Sequence, residues 1–135
     1  MDVNDLDEPV GDLALQTLAM PRDTNAHGDI FGGWLVSQMD LAAGIATRSV
    51  TSGRTVTVAI QNVAFLLPVT VGSMVSCYAK VGDIGTSSMK IEIEVWVSNV
   101  ATGYTKRKAA QGTFVFVAID QNGRPQAVHR QKKSD

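Results

Sequence analysis

Residues 32 to 48 read Gly32-Gly-Trp-Leu-Val-Ser-Gln-Met-Asp-Leu-Ala-Ala-Gly-Ile-Ala-Thr-Arg48. This stretch contains no proline and few β-branched residues, so nothing in it interrupts a helix. Its apolar side chains would fall on nearly every side of that helix, and a helix that is apolar almost all round is buried. We therefore predict one long central helix.

Segments on both sides of this helix have the period of two that is typical of β-strands. In residues 89–97, five apolar side chains alternate with Lys90, Glu92, Glu94 and Trp96, so one face is predicted to be wet and the sheet antiparallel. The element order predicts an α+β domain with a curved antiparallel sheet wrapped around the helix. Strands are predicted over residues 12–18, 55–61, 73–81, 89–97 and 104–119, with a hairpin turn over 82–85.

Length and composition narrow the class of protein. The 135 residues suit a single domain, 1–135, with flexible tails over residues 1–11 and 129–135. The net charge of -1 offers no basic surface for nucleic acid. No apolar run approaches the roughly 18 residues of a membrane span, and the acidic first residues do not fit a signal peptide. We expect a cytoplasmic protein whose single cysteine, Cys77, is a core residue rather than a nucleophile.

The most informative residue is Asp40, a carboxylate in the middle of the predicted helix. Its neighbours three and four residues away include no lysine or arginine, so no ion pair within the helix offsets the cost of burying it. A carboxylate held away from water is a candidate general base or acid. The alternative is that Asp40 caps a loop or faces solvent.

A glycine-bearing loop, Gly28-Asp-Ile-Phe-Gly-Gly33, precedes the helix. Free N–H groups make a helix N-terminus suitable for an anion or an oxyanion, although turn geometry or packing also explains such glycines. Gly32 and Asp40 would be about 12 Å apart along one helix, which is too far for one carbonyl to touch both. Two antiparallel helices related by a two-fold axis would bring them together, so we predict a site shared within a homodimer. Apolar surface left by a single helix also favours homo-oligomers.

One long motif, Asp23-Thr-Asn-Ala-His-Gly-Asp-Ile-Phe-Gly-Gly-Trp-Leu-Val-Ser-Gln-Met-Asp40, resembles the signature of hotdog-fold acyl-CoA thioesterases of the bacterial YciA-type group. Further matches lie at residues 53–58, 65–69, 85–88 and 93–97, and the resemblance spans about residues 13–128. It implies a hotdog fold with five to six strands. It also implies hydrolysis of acyl-CoA to a free acid and CoA, without a metal or organic cofactor, in a dimer that assembles to a tetramer or hexamer.

The resemblance also implies residue roles. Asp40 would activate water or attack the thioester, the Gly32 and Gly33 amides would form the oxyanion site, Asn25 would orient the carbonyl or water, and Thr57 would support the site by a hydrogen bond. The phosphates of CoA would bind near Arg54, Gly85, Ser87, Ser88 and Lys90, with Lys106, Arg107 and Lys108 as less certain additions.

One departure from the family pattern is Leu67, where a lysine or arginine usually precedes the proline; the departure puts a phosphate contact in doubt. Two other functions stay open. A hotdog hydratase or dehydratase would pair His27 with Asp40, and a non-catalytic regulator would bind acyl-CoA without turnover. A metal site is not predicted, because the candidate ligands lack a recognisable spacing. Those candidates are Asp23, His27, Asp29 and Asp40.

Overall fold

A computed structural model describes residues 8–128 of the chain. One strand is followed by a helix and then by four more strands. Short 3₁₀ turns over Pro21–Asp23 and Val100–Thr102 lie in the connections. The helix and strands are β1 (Asp12–Leu18), α1 (Gly32–Thr47), β2 (Arg54–Phe65), β3 (Met74–Ile84), β4 (Ser88–Ser98) and β5 (Arg107–Ile119).

The five strands form one antiparallel sheet in the order β1-β3-β4-β5-β2. Helix α1 contacts every strand, so the sheet curves around it. The predicted α+β architecture, with one central helix, is therefore confirmed. Strands β1 and β2 are the two edges of the sheet within residues 8–128. In the same part of the chain, the helix is neither long nor apolar enough to cross a membrane.

The core lies between α1 and the concave face of the sheet. Met39 on α1 is fully buried, and burying a side chain of this size stabilises the fold by about 1.5–3 kcal/mol. Its Cε atom lies 3.3 Å from the position that a Cβ would take on Gly112 of β5. A glycine at this position of β5 therefore lets the helix approach the sheet closely.

The prediction that α1 is buried on nearly every side is wrong for one side. Leu41 and Ile45 are 56% and 45% exposed. They lie beside the edge strand β2, and both line a cavity between α1 and that strand. One sheet covers only one side of the helix, so an apolar surface between α1 and β2 stays open in a single chain.

Strand β2 has the predicted alternation, but a bulge changes the faces that its side chains occupy. Val56 lies opposite Val117 on the outer face, whereas Ile60 lies opposite Phe114, a core residue on the helix side. The register shifts around Val58, which is the extra residue of a β-bulge. The alternating valines and isoleucine therefore do not form one apolar face.

Other differences from the sequence prediction occur at element ends. Strand β2 continues past residue 61 through a second bulge, in which Asn62 has a φ of 56°. Strand β3 continues to Ile84, so residues 85–87 form the hairpin turn instead of 82–85. Strand β5 begins at Arg107 instead of residue 104, because the turn before it places Tyr104 at a φ of 63°.

The outer face of β4, which the sequence predicts to be wet, is buried at Trp96. This side chain is 6% exposed, and its Nε1 donates a hydrogen bond of 2.9 Å to Glu94 Oε1. Next to it on the same face, Tyr78 is also buried and accepts a hydrogen bond of 2.7 Å from Lys106 Nζ. Aromatic side chains and their polar partners therefore form a second, smaller cluster on the outer face.

Glu94 connects this cluster to the N-terminal segment, and we expect it to make stability depend on pH. Burial raises its pKa, but hydrogen bonds from Trp96 Nε1, the Val10 amide and Lys108 outweigh burial, so the pKa lies below its ordinary value. A lowered carboxylate pKa stabilises the fold above the unfolded value of 4.5, and this contribution is lost as the pH falls through the folded pKa.

Glu94→Gln should therefore lower the free energy of unfolding by about 1 kcal/mol at neutral pH. The difference in the free energy of unfolding between Glu94→Gln and wild type should become smaller in acid. Urea unfolding at neutral pH and at acidic pH measures it. Glu92→Gln, on the same strand but exposed, is the control and should change stability by less than about 0.5 kcal/mol. A deficit of Glu94→Gln that stays constant with pH would contradict this role.

Candidate active site

Asp40 faces β2 from the middle of α1. Its Oδ1 accepts a hydrogen bond of 2.6 Å from Thr57 Oγ1, and the carboxylate is partly buried. Both residues line a cavity of about 970 Å³, whose wall includes the apolar side chains Leu41, Ile45 and Phe116. The carboxylate is therefore held in one orientation at a cavity with both apolar and polar walls, and it does not cap a loop.

The cavity continues towards the Arg54 end of β2, where Arg48 and Arg54 add two cationic side chains. The β3–β4 hairpin reaches the same end of the sheet, because the Ala118 amide of β5 donates to the Ser87 carbonyl. Lys90 lies opposite Val115 on the outer face. The structure therefore brings four of the residues predicted to bind CoA to one end of the sheet, and Lys90 lies two residues further along β4 from that end. The residues at that end are Arg54, Gly85, Ser87 and Ser88.

The N-terminus of α1 is built from backbone rather than from polar side chains. Its N-cap residue, Phe31, makes no side-chain cap hydrogen bond, and its carbonyl accepts from the Trp34 amide at 3.1 Å. The amides of Gly32 and Gly33 are too early in the helix to have a carbonyl partner within it. A Cβ on Gly32 would lie 3.0 Å from the Phe65 ring, closer than a side chain normally packs. Gly32 therefore lets the first turn of the helix lie directly against β2, with its amide donors and those of Gly33 in reach of a ligand.

Asn25 lies in the loop before this helix, and its side chain has a fixed orientation. Its Oδ1 accepts hydrogen bonds from the His27 amide at 2.8 Å and from the Asp29 amide at 3.2 Å. Only the oxygen of the side-chain amide can accept, so the Nδ2 group points away from these two donors. Towards a ligand, Asn25 is therefore a hydrogen-bond donor.

The structure places the predicted catalytic residues in two separate groups. Helix α1 and strand β2 run side by side in opposite directions, with Gly32 beside Phe65 and Asp40 beside Thr57. The amide group at Gly32 and the carboxylate at Asp40 are about 12 Å apart along the helix. One chain therefore carries both halves of the predicted site, but at different places.

The less certain basic residues lie away from the hairpin. Lys108 is opposite Trp96, near the end of β4, whereas Ser88 begins that strand. Eight residues of a strand span about 25 Å, so one phosphate group cannot contact both ends of β4 in the same chain. Lys106, Arg107 and Lys108 therefore form a separate basic surface.

Two residues that position these groups were not predicted as such. Phe65 covers Gly32, and Asp23 is a buried carboxylate that accepts a hydrogen bond from the Met20 amide at 3.2 Å. The only sequence signal for Asp23 is an acidic residue two positions after Pro21, the spacing of a capped turn. Cys77 is a core residue, as predicted, and burial raises the pKa of its thiol to about 12. Within residues 8–128, no three His, Cys, Asp or Glu side chains are grouped to hold a metal ion.

Comparison with known proteins shows the family to which the chain belongs. Residues 27–104, more than half of the chain, match the model of the Thioesterase superfamily. The chain belongs to the thioesterase superfamily. Acyl-CoA thioester hydrolase YciA of Escherichia coli K12 is 51% identical over 122 residues, which cover 89% of this chain and 92% of that protein.

Solved thioesterases have the same fold. A hexameric hotdog fold thioesterase of Campylobacter jejuni is 35% identical, with a TM-score of 0.82 over 88% of this chain and 91% of the other. The fold of this superfamily member is therefore the hotdog fold. An acyl-CoA hydrolase of Staphylococcus aureus, solved with butyryl coenzyme A and coenzyme A, is 30% identical, with a TM-score of 0.78 over 90% of this chain and 73% of the other. It has also been solved with alanine in place of an asparagine, an aspartate and a threonine.

Proposed function

We propose that this protein is an acyl-CoA thioester hydrolase, which releases a free carboxylic acid and CoA, and that Asp40 is its catalytic carboxylate. The observation that carries the proposal is the Asp40–Thr57 hydrogen bond in the wall of a cavity that is apolar at Leu41, Ile45 and Phe116 and cationic at Arg48 and Arg54. Membership of the thioesterase superfamily and 51% identity to a named acyl-CoA thioester hydrolase support the reaction type.

The spacing of three polar residues supports the choice of site. In the Staphylococcus aureus hydrolase, the substituted asparagine precedes the substituted aspartate by 15 positions, and the substituted threonine follows it by 17. Asn25, Asp40 and Thr57 have the same separations in this chain. We assign the proposed catalytic roles to these three residues and to the Gly32 and Gly33 amides.

A homodimer through β2 would complete the site. Strand β2 is an edge of the sheet, and unpaired edges are templates for a second strand. Pairing two β2 strands antiparallel about their midpoint would place the Phe65 end of one opposite the Arg54 end of the other. Since Gly32 lies beside Phe65, the partner's Gly32 would then approach Asp40. The same contact would cover the exposed apolar side chains on α1 and β2, which are Leu41, Ile45, Val56 and Val58.

In this site the proposed chemistry needs only water and the substrate. The thioester carbonyl accepts hydrogen bonds from Asn25 Nδ2 and from the glycine amides, which stabilise the negative charge that develops on its oxygen. Asp40 either removes a proton from the attacking water or attacks the carbonyl carbon itself. In the first route water forms the new C–O bond, the C–S bond breaks, and the proton taken from water passes to the CoA sulfur. In the second route Asp40 forms the C–O bond as the C–S bond breaks; water then hydrolyses the resulting anhydride, which releases the acid, restores the carboxylate and supplies the proton that the sulfur takes up. No metal or organic cofactor takes part in either route.

We place the CoA phosphates at the end of the sheet formed by Arg54 and the residue 85–88 turn. This end lies next to the cavity that contains Asp40, and backbone N–H groups and arginine are good phosphate donors. Lys90 lies on the outer face of the sheet and is a less direct contact. The apolar Leu67 supplies no charge where the family usually carries one, so Arg54 gains importance for affinity.

The reaction is tested by following the release of free CoA from a panel of acyl-CoA substrates of increasing chain length. The proposal expects hydrolysis of at least one chain-length class by the wild-type protein. Water addition to an enoyl-CoA without CoA release would instead indicate the hydratase or dehydratase. Tight binding of every substrate without turnover would indicate the non-catalytic regulator.

Thr57→Val should lower kcat for hydrolysis roughly 10- to 100-fold, because it removes the hydrogen bond that orients Asp40 while keeping the shape of the side chain. Thr113→Val is the matched control, since Thr113 donates to the carboxylate of Glu92 on the outer face. Steady-state kinetics should therefore give a lowered kcat for Thr57→Val and the wild-type kcat for Thr113→Val. Equal kcat values for Thr57→Val and wild type would remove Thr57 from the site.

Val58→Asp tests the dimer. Val58 is 56% exposed at the β2 edge, where a charge would be buried between two strands on association. We expect a shift towards monomer in sedimentation velocity and a parallel loss of hydrolysis. Val100→Asp is the control, because Val100 is 77% exposed on the turn before β5 and distant from β2. A Val58→Asp monomer with full activity would show that one chain suffices.

A further inference from the structure

The loop between β1 and α1 is closed at its neck by Asp23. The Asp23 carboxylate is 8% exposed, and its Oδ2 accepts a hydrogen bond from the Met20 amide at 3.2 Å. The Asp23 amide returns a hydrogen bond of 2.9 Å to the Met20 carbonyl. Residues 20 and 23 are therefore held together through both the side chain and the backbone.

Asp23 also connects this turn to the start of the helix. Its carbonyl oxygen accepts a hydrogen bond of 3.1 Å from the amide of Phe31, the N-cap of α1. On the inner side of this contact, Thr24 pairs with Ile30, and the Asn25 amide donates to the Asp29 carbonyl at 2.7 Å. The loop that presents Asn25 is thus a short two-stranded turn whose closing pair is Asp23 and Phe31.

The side chain of Asp23 supplies one acceptor oxygen, which holds the Met20 amide and so fixes the turn. The position of Asp23 fixes two of the proposed hydrogen-bond donors relative to each other, namely Asn25 Nδ2 and the amide end of α1. Oxyanion donors act only if they are held close to the place where charge develops.

We propose that Asp23 is a positioning residue for catalysis, which holds the Asn25 amide and the helix N-terminus in one fixed arrangement. The proposal rests on the hydrolase function proposed above. Asp23 does not touch the substrate in this arrangement. Its side chain acts through the hydrogen bond from the Met20 amide, which holds the turn in place, and its backbone carbonyl then accepts from the Phe31 amide at the start of the helix.

The test compares Asp23→Ala with Asp23→Asn, which keeps an oxygen acceptor at the same place. Asp23→Ala should lower kcat by about 10- to 100-fold with KM close to wild type, because a misplaced donor affects the transition state more than binding. Asp23→Asn should recover most of kcat. If Asp23→Ala does not fold, Asp23→Glu replaces it, since it keeps the charge but moves the acceptor by one methylene.

A second background separates positioning from a general loss of structure. In an Asn25→Asp protein one of the two donors that Asp23 positions is already absent, so Asp23→Ala should add a smaller loss there than in wild type. Equal fold losses in both backgrounds, or failure of Asp23→Asn to recover kcat, would overturn the proposal. Amide exchange at Phe31 should accelerate in Asp23→Ala, and unchanged exchange there would also overturn it. A wild-type protein without hydrolysis would instead contradict the proposed function.

Discussion

Asp40→Asn should lower kcat for acyl-CoA hydrolysis by about 10²- to 10⁴-fold, the range that removal of a general base produces. Asparagine keeps an oxygen that can accept the hydrogen bond from Thr57 Oγ1, so the local packing of α1 against β2 should remain. Only the ability to take a proton or to attack a carbonyl is lost. Substrate binding should change much less than turnover, which steady-state kinetics of free CoA release can measure.

The matched control for this variant is Glu92→Gln. Glu92 also accepts a hydrogen bond from a threonine on a neighbouring strand, Thr113, but on the outer face of the sheet. Its kcat should equal that of wild type. If Asp40→Asn hydrolyses a substrate of the wild-type protein at the wild-type rate, another residue must perform the proposed chemistry.

Asn25→Asp should lower kcat by about 10²- to 10³-fold, as does the loss of one oxyanion donor. The change keeps the Oδ1 atom that accepts from the His27 and Asp29 amides, so the loop keeps its conformation. It replaces the Nδ2 donor by a second oxygen, which repels an oxyanion instead of stabilising it. Asn25→Ala should be similarly slow, although it loses the turn as well.

This variant distinguishes two roles for Asn25. If its oxygen accepted a proton from the attacking water, aspartate would perform at least as well as asparagine. High activity of Asn25→Asp would therefore contradict the donor role. Asn122→Asp makes the same chemical change in the exposed turn after β5, beside Arg54 and away from the reacting carbonyl, so it should leave kcat unchanged and any effect should fall on KM.

Much of the fold follows from local sequence patterns. The central helix is predictable because residues 32–48 lack a helix breaker and are apolar on nearly every side. The bulge at Val58 cannot be predicted from local patterns. A bulge depends on which residue of β5 lies opposite, and that pairing is decided by the packing of distant strands. Burial of Trp96 likewise depends on Glu94 and on the remote segments that cover the outer face.

Less of the candidate site than of the fold could be predicted from the sequence. Asp40 stands out because a carboxylate in an apolar helix is unusual, and the long motif adds Asn25 and the glycines. The orientation of the Asn25 amide is a property of three-dimensional hydrogen bonds within its loop. Asp23 closes a three-residue turn, and so short an element has no periodic pattern that could reveal it.

The burial of Cys77 has a consequence for a protein whose proposed product is itself a sulfhydryl compound. Cys77 lies on β3 between β1 and β4 with no exposed surface, and at neutral pH its thiol keeps its proton. An oxidised, disulfide form of CoA therefore cannot exchange with this sulfur in the folded protein, because exchange needs an accessible thiolate. A chromogenic disulfide reagent added to the reaction would count product molecules alone, since the chain contains no other cysteine.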